Sequence, residues 1–578
     1  MIIDLFAEQV ALYPDNPAVI DDEGALTYRQ LAARATAIAE AVRRDGTSLP
    51  VGLLCRHGSA MIASMLGVLL AGRPYVPLDP TFPARRLAHQ LEDSGADLLL
   101  TDDVQHPLAA GRVVEIDPVL ATASTVDLET TASPDDLAYL LYTSGSTGTP
   151  KGVWQNHRNV VFAAHNHIRN RAITPADRTS VLTSFGFDMS VTDTYAALLS
   201  GAAAVPIDIR RHGLAALADL LADRAVTIYH STPTVYRYLA ASLGERRLPD
   251  IRTVLLGGED VTARDVRLCR KHFDPDCVFI NGYGATEISF ITQNPITGPA
   301  PEDDGPLPIG RPLPGLEVRL IGPDSPAAGE ILVRSKHVAL GYHGRDDAKF
   351  GVLDGERTYR TGDLARWLPD GQLAFLGRAD RQVKIRGHRV ELGDVESQLA
   401  DLPGVAQAAV IARPAGPHSD LELIGYIVPN GDVDTTALRD ALPDYMVPRA
   451  IVTLTELPLT VTGKLDAAAL PEPAASATIE LATEHHVIAD AWRQVLGVPS
   501  VGPDDHFLEV GGHSLQMALV QQRLEGALGR RLSMATLFAY PTIRSLADHL
   551  AGVGGTPDPL LDPLPDRAAL RRARRVGR

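Results

Sequence analysis

Leu137-Ala138-Tyr139-Leu140-Leu141 runs straight into Tyr142-Thr143-Ser144-Gly145-Ser146-Thr147-Gly148-Thr149-Pro150-Lys151-Gly152. The first half reads as a short buried strand. The second half holds three glycines, five Ser/Thr residues and one lysine. Glycines let successive backbone N–H groups turn toward one anion, hydroxyls add donors, and Lys151 adds positive charge. A phosphate cradle is one reading and a flexible surface loop is the other, since Gly/Ser/Thr clusters make both. The rest of the chain has to choose between them.

The same grammar recurs downstream. Val226-Thr227-Ile228-Tyr229-His230 enters Ser231-Thr232-Pro233-Thr234, and Val254-Leu255-Leu256 enters Gly257-Gly258-Glu259. Cys277-Val278-Phe279-Ile280 enters Asn281-Gly282-Tyr283-Gly284-Ala285-Thr286-Glu287. Each apolar strand leads to a glycine or small-polar turn, and a helix is expected to follow. Strands alternating with helices predict mostly parallel sheets, whose ligands bind beyond the carboxyl ends of the strands. Four such loops meeting on one face favour the phosphate cradle over the loose loop. Phe185-Gly186-Phe187-Asp188-Met189-Ser190 adds a carboxylate among apolar neighbours. Asp188 reads either as a helix cap or as the counter-ion of a substrate cation.

Composition bounds the reading. A chain of 578 residues is long enough for about three or four domains. Hydrophobic residues at 45% and charged residues at 22% fit packed globular domains rather than disorder. A net charge of −17 argues against general binding to nucleic acid or to an anionic membrane. Cys55, Cys269 and Cys277 lack metal-ligand spacing and fit a reducing, cytoplasmic setting. The first residues carry acids where a secretory signal carries bases, and the apolar run 61–72 is too short to span a bilayer.

The composition changes near Gly377. A charge-rich connector, Gly377-Arg378-Ala379-Asp380-Arg381-Gln382-Val383-Lys384-Ile385-Arg386-Gly387, leads to a helix over 391–402 and to strands over 405–412 and 423–428. Leu457-Pro458-Leu459-Thr460-Val461-Thr462-Gly463-Lys464 closes this smaller α+β unit. Residues 471–478 read as a Pro/Ala linker, and amphipathic stretches from Glu480 to Leu550 suggest a small helical bundle. Within it, Gly511-Gly512-His513-Ser514 sets a serine at a helix start, either as a cap or as a hydroxyl open to modification. The arginine-bearing tail from 554 reads as solvated.

These ordered motifs together resemble an adenylation domain of nonribosomal peptide synthetases, in the wider family of adenylate-forming ligases, followed by a peptidyl carrier domain. The resemblance runs from Leu26-Thr27-Tyr28 to about Leu550. It implies a large α/β N-terminal core with mostly parallel sheets (1–376), a small α+β lid (377–470), a linker (471–478), a four-helix carrier (479–553) and a tail (554–578). It also implies ATP, Mg²⁺ and 4′-phosphopantetheine. Thr143, Ser144, Gly145, Ser146, Thr147, Gly148 and Lys151 would surround the outer phosphates. The loop is not a Walker A motif, which ends in Gly-Lys-Ser/Thr. Gly258, Asn281, Tyr283 and Gly284 would hold the nucleotide base side, Thr286 would approach the α-phosphate, and Glu287 would ligate Mg²⁺. Asp363 would grip the ribose with Arg378 beside it. Asp380 would be the hinge, Lys464 the catalytic lysine of adenylate formation, and Ser514 the attachment point of phosphopantetheine.

For the amino acid, the resemblance gives Asp188 to the α-amino group. It puts Met189, Thr192, His230, Leu255, Gly257, Gly282, Phe290 and Ile291 around the side chain. Small residues at Thr192, Gly257 and Gly282 would leave room and His230 would offer a hydrogen bond or a charge, so a polar or fairly large side chain is expected, with acidic, amide, hydroxylated and phenolic ones all open. Implied partners are a phosphopantetheinyl transferase, a downstream condensation or acyltransferase protein, and the small MbtH-like activator that some relatives need. An acyl-CoA ligase and a non-catalytic nucleotide scaffold are the competing readings. One decoy is set aside: His485-His486-Val487-Ile488-Ala489-Asp490 is similar to a condensation signature, but Ala491 follows where glycine belongs, and the segment reads as a helix surface.

Overall fold

The computed structural model describes residues 1–550 except 45, 110, 122–124, 145–149, 304, 323–327, 380–381, 386, 415–420, 459–464, 468, 474–482, 499, 504, 506, 508–509, 511, 513, 529–531, 533–535 and 538–539. Its contacts divide the chain into two compact units. The first holds Met1–Asp208, Ala218–Leu402 and Asp434–Met446, and the second Ile209–Leu217, Pro403–Val433 and Val447–Arg578. The first unit therefore runs on past 377, where composition changes, and keeps the connector and the helix Leu392–Ala400.

Two large sheets form the first unit. In the nine-stranded sheet, Val278–Ala285, Thr253–Gly257, Ile228–Ser231, Arg178–Val181, Ala203–Pro206 and Pro17–Asp21 are parallel neighbours in that spatial order. Antiparallel strands close both edges. The six-stranded sheet is parallel from Val113–Glu115 to Leu137–Thr143 and ends on the antiparallel strand Lys151–Asn156. The helices Tyr28–Arg43 and Ser59–Leu70 belong to the core of this unit. Thr27 and Gln30 form a reciprocal capping box that starts the first of them. Burial of every residue but one in Ser59–Leu70 explains why its sequence shows an unbroken apolar run rather than a stripe.

Two of the four strand-to-loop units depart from the expected strand-turn-helix order. Leu137–Thr143 and Val278–Ala285 each continue into an antiparallel partner, Lys151–Asn156 and Ser289–Ile296. The second hairpin needs its glycine: a Cβ on Gly284 would lie 2.2 Å from the Ser289 carbonyl oxygen. Ser289 takes φ of 65°, and the register shifts between Tyr283 and Gly284. Tight turns of this kind give the same Gly-rich signal as a helix start.

A five-stranded antiparallel sheet sets Asp363 of strand Glu356–Trp367 directly opposite Arg378 of strand Leu373–Arg378.

In the second unit, Val405–Pro414, Leu421–Pro429 and Ala450–Thr453 make a three-stranded sheet. Three helices follow among the described residues: Thr483–Leu496, Ser514–Leu528 and Ile543–Leu550. Residues 533–535 and 538–539, within the span expected to hold a four-helix carrier, lie outside the described residues. Trp492 packs edge-on to Phe507 at 4.8 Å between ring centroids. No helix among the described residues is long and apolar enough to cross a membrane.

Candidate active site

The loops at the strand ends of both large sheets open into one cleft, lined entirely by the first unit. Thr143 and Ser144 enter from the six-stranded sheet, and Gly258, Gly284 and Thr286 from the nine-stranded one. Asp363 and Arg378 enter from the antiparallel sheet, and Asp188, Met189 and Thr192 from the helix Asp188–Leu198. The parallel strands thus converge on the cleft although only part of each loop was placed correctly by pattern.

Both carboxylate oxygens of Asp363 have a donor. Arg378 Nη1 donates to one carboxylate oxygen at 2.5 Å, and the Tyr283 hydroxyl donates to the other at 2.5 Å. Burial, and then the Asp363 charge, push the Tyr283 phenol far up, so it stays a donor. Asn281 stands behind this wall, its amide donating to the Pro308 carbonyl at 3.0 Å.

Glu287 is completely buried, and Arg389 Nη1 donates to both its oxygens at 3.1 Å. The Tyr342 hydroxyl donates to it at 2.6 Å. Burial works to raise its carboxyl, yet the Arg389 charge and the Tyr342 and Tyr359 hydroxyls hold it below the ordinary value, so it stays ionised. Lys151 lies behind the same wall, 4.0 Å from Glu391 and 4.8 Å above the Tyr342 ring. Burial and the Arg389 charge lower its ammonium pKa. Ser144 Oγ donates to the Arg389 carbonyl at 2.7 Å, tying the opening loop to this segment.

Asp188 is the first helical residue and caps nothing; the cap position is Phe187. Burial, with the Glu287 charge adding, pushes its carboxyl up to about 6. It lines the cleft with no cation within salt-bridge distance among the described residues. A carboxylate so placed suits a ligand cation.

The side-chain end of the cleft differs from expectation. A Cβ on Gly282 would lie 2.5 Å from Phe290 Cε1, and one on Gly257 3.2 Å from the same atom. The Phe290 ring therefore fills the space that the two glycines were expected to leave open. His230 is buried beneath it, bound to Asp193, and Leu255 and Ile291 are buried in the core. Thr192 spends its hydroxyl on the Asp188 carbonyl at 2.8 Å. Gly145, Ser146, Thr147, Gly148, Asp380 and Lys464 lie outside the described residues. Ser514 begins its own helix in the second unit.

The cleft residues not singled out beforehand include His167, Lys384, Arg389 and Tyr445. Lys384 Nζ sits 5.7 Å over the Tyr283 ring, and burial lowers its pKa although Asp363 opposes. The connector's charge density was its only signal. For His167 the signal was the run of histidines and arginines, His157, Arg158, His165 and Arg169, in its helix His157–Asn170, with Arg171 at the C-cap.

Comparison with known proteins decides the family. The AMP-binding enzyme family matches residues 6–343. The chain belongs to this family. The AMP-binding enzyme C-terminal domain matches 394–464, and the phosphopantetheine attachment site matches 486–550. The chain is an adenylation domain followed by a carrier domain. It is 35% identical over 96% of its length to bacitracin synthase 3 of Bacillus licheniformis, and 36% identical over 95% to a dimodular nonribosomal peptide synthase of Bacillus subtilis (strain 168). It spans 9% and 24% of the length of those proteins. Among solved structures it resembles holo-PA1221, a nonribosomal peptide synthetase protein with adenylation and PCP domains bound to a vinylsulfonamide inhibitor. The TM-score is 0.80, with 28% identity over 96% of both chains. A four-domain synthetase, holo-AB3403 bound to AMP and glycine, matches at TM-score 0.60 and 28% identity over 97% of this chain and 43% of that one. Membership of this family brings ATP, Mg²⁺ and 4′-phosphopantetheine into the account. His486, the decoy, is exposed on the helix Thr483–Leu496.

Proposed function

We propose that the chain condenses an α-amino acid with ATP to give aminoacyl-AMP and then passes the acyl group to a thiol carried on Ser514. The observation that supports it most is one cleft holding an unpaired carboxylate, Asp188, together with the Asp363–Arg378–Tyr283 group. An α-amino acid needs the first, and a ribose diol suits the carboxylate of the second. In this reading an oxygen of the amino-acid carboxylate attacks the α-phosphorus, and the bond to the pyrophosphate oxygen breaks. The acyl carbon becomes electrophilic, a thiol adds to it, and AMP leaves with the former carboxylate oxygen.

The protein's part is to orient and to neutralise charge. Asp188 would hold the ammonium, Asp363 the ribose, and Thr143, Ser144 and Thr286 the phosphate side. Gly145, Ser146, Thr147, Gly148 and Lys151 would complete the pyrophosphate grip. Lys464 would bridge the two reacting groups in the first step only, with Asp380 as hinge. The donor set fits Mg²⁺: Glu287 is a single, ionised, buried carboxylate beside the cleft, and Mg²⁺ commonly takes one or two carboxylates plus substrate phosphates. When bound there, the ion would supply charge neutralisation on the phosphates. Ser514 also fits its group. It heads a 15-residue helix, and Gly512 just before it packs so closely on Phe507 that a Cβ would lie 2.4 Å from the ring. The 4′-phosphopantetheine arm would supply the accepting thiol there.

The partners follow from that chemistry: a phosphopantetheinyl transferase, an acceptor protein of condensation or acyltransferase type, and an MbtH-like activator. Amino-acid-dependent exchange of labelled pyrophosphate into ATP, with and without such an activator, tests the first step. Exchange with no amino acid overturns the reading. Mass spectrometry after transferase treatment tests Ser514, with Ser514→Ala as control. Lys464→Ala should abolish exchange yet largely spare thiolation from supplied acyl-AMP, and equal loss of both would remove the division of labour.

A further inference from the structure

Beneath Phe290 four side chains from three elements meet. Arg171 caps the helix His157–Asn170 that carries His167, Asp193 sits on the helix Asp188–Leu198, and His230 on the strand Ile228–Ser231. The Arg171 and His230 side chains are fully buried, and His167 and Asp193 nearly so. Arg171 Nη1 donates to Asp193 Oδ1 at 2.9 Å, and its Nη2 donates to His167 Nδ1. His230 Nδ1 lies 2.7 and 2.9 Å from the Asp193 oxygens.

These contacts fix the two tautomers. A guanidinium has only donors, so His167 Nδ1 accepts and its proton is on Nε2. The Asp193 carboxylate has only acceptors, so His230 carries its proton on Nδ1 and a lone pair on Nε2. Both rings are neutral, because burial lowers both pKa values and the Arg171 charge adds to that; Asp193 only partly offsets it at His230. Among the described residues neither Nε2 atom has a partner, although both are buried. The ring centroids stand 6.3 Å apart, and the Phe290 ring covers them at 5.0 and 5.7 Å. His167 and Phe290 themselves line the cleft. An unpaired buried donor beside an unpaired buried acceptor is costly in a free protein and profitable only when a ligand answers both.

We propose that this imidazole pair selects an uncharged amino-acid side chain carrying both a donor and an acceptor, a carboxamide or an alcohol. His167 Nε2–H gives one hydrogen bond and His230 Nε2 receives the other, once the Phe290 ring swings aside. This deepens the amino-acid activation reading and rests on it. A carboxylate has no proton for His230 and would face Asp193. An ammonium or guanidinium has no acceptor for His167 and would face Arg171. A hydrocarbon leaves both nitrogens unpaired, the situation in which polar sites reject isosteres most strongly.

Pyrophosphate exchange by the full chain over matched side chains tests this: glutamine with glutamate and methionine, asparagine with aspartate and leucine, threonine with valine, tyrosine with phenylalanine. We expect the preferred substrate to be a carboxamide or an alcohol, with kcat/KM about 10²-fold or more above its charged and hydrocarbon counterparts. The separate pairs tell the two sources apart. A best substrate that is charged or purely hydrocarbon overturns the inference while leaving amino-acid activation standing. Exchange with no amino acid overturns both. In a second arm, His167→Leu should raise the amino-acid KM at least about tenfold, leave the ATP KM unchanged and favour the hydrocarbon isostere. His167→Gln, which keeps an acceptor for Arg171 and a donor for substrate, should restore part of the preference. Unchanged selectivity in a folded His167→Leu protein would mean that a buried water serves the two nitrogens, and would overturn the assignment.

Discussion

The two ends of the cleft treat polar groups in opposite ways. At the nucleotide end, Asp363 and Glu287 are each closed by one arginine and at least one tyrosine hydroxyl. At the blind end, Arg171 and Asp193 are closed on each other, but each passes a polarised imidazole onward with a free nitrogen. In the proposed reading the first arrangement would present a fixed charge pattern to the nucleotide, and the second would present unfilled hydrogen bonds to the amino-acid side chain.

The comparison breaks most readily at Asp363. Asp363→Ala leaves Arg378 and Tyr283 without their shared acceptor, and exchange should fall on the order of 10²- to 10³-fold with a raised KM for ATP. A loss below threefold in steady-state assays would show that the closed end does not grip the nucleotide. At the other end, Arg171→Met strands Asp193 in the interior, and urea unfolding should show about 3–5 kcal/mol of lost stability. A loss under about 1 kcal/mol would mean that the pair is not the foundation of the imidazoles.

A pH profile sharpens the boundary between the ends. Asp188 titrates near 6, so its negative charge disappears as pH falls through that value. The amino-acid kcat/KM should then drop by about tenfold per pH unit below 6, while the ATP KM holds. Asp188→Asn should remove that acidic limb at the cost of a high, flat KM. The smallest effect belongs to Phe290. Phe290→Ala frees the space above Gly257 and Gly282, and kcat/KM for larger side chains should rise about tenfold in a substrate panel.

Much of the frame was legible because it is local. The run Leu137–Leu141 with its polar continuation and the apolar run at 61–72 declare themselves within a dozen residues. The two loops that turned into hairpins did not, since Gly152 makes room for the Leu140 side chain and Gly284 for the Ser289 carbonyl rather than either starting a helix. The blind end was least legible. His167 and His230 lie on elements far apart in the chain but share one covering ring, and only the fold reveals that Phe290 fills the space the small residues were expected to leave. Residue type predicted room; packing decided who occupies it. Lys464 and Asp380 stay with the sequence reading, outside the described residues.

Arg389 carries one last consequence. Both oxygens of Glu287 accept from it, so a divalent cation held there, as the proposed function has it, would compete with the guanidinium for one carboxylate. The apparent cation affinity is the intrinsic one scaled by the fraction of molecules in which Arg389 has let go. By reciprocity, a bound cation would raise the fraction of molecules in which the arginine is released, and ion concentration would become a handle on Arg389. Arg389→Met should therefore tighten Mn²⁺ binding, read by the paramagnetic signal of the free ion without any turnover; unchanged or weaker binding would deny the competition.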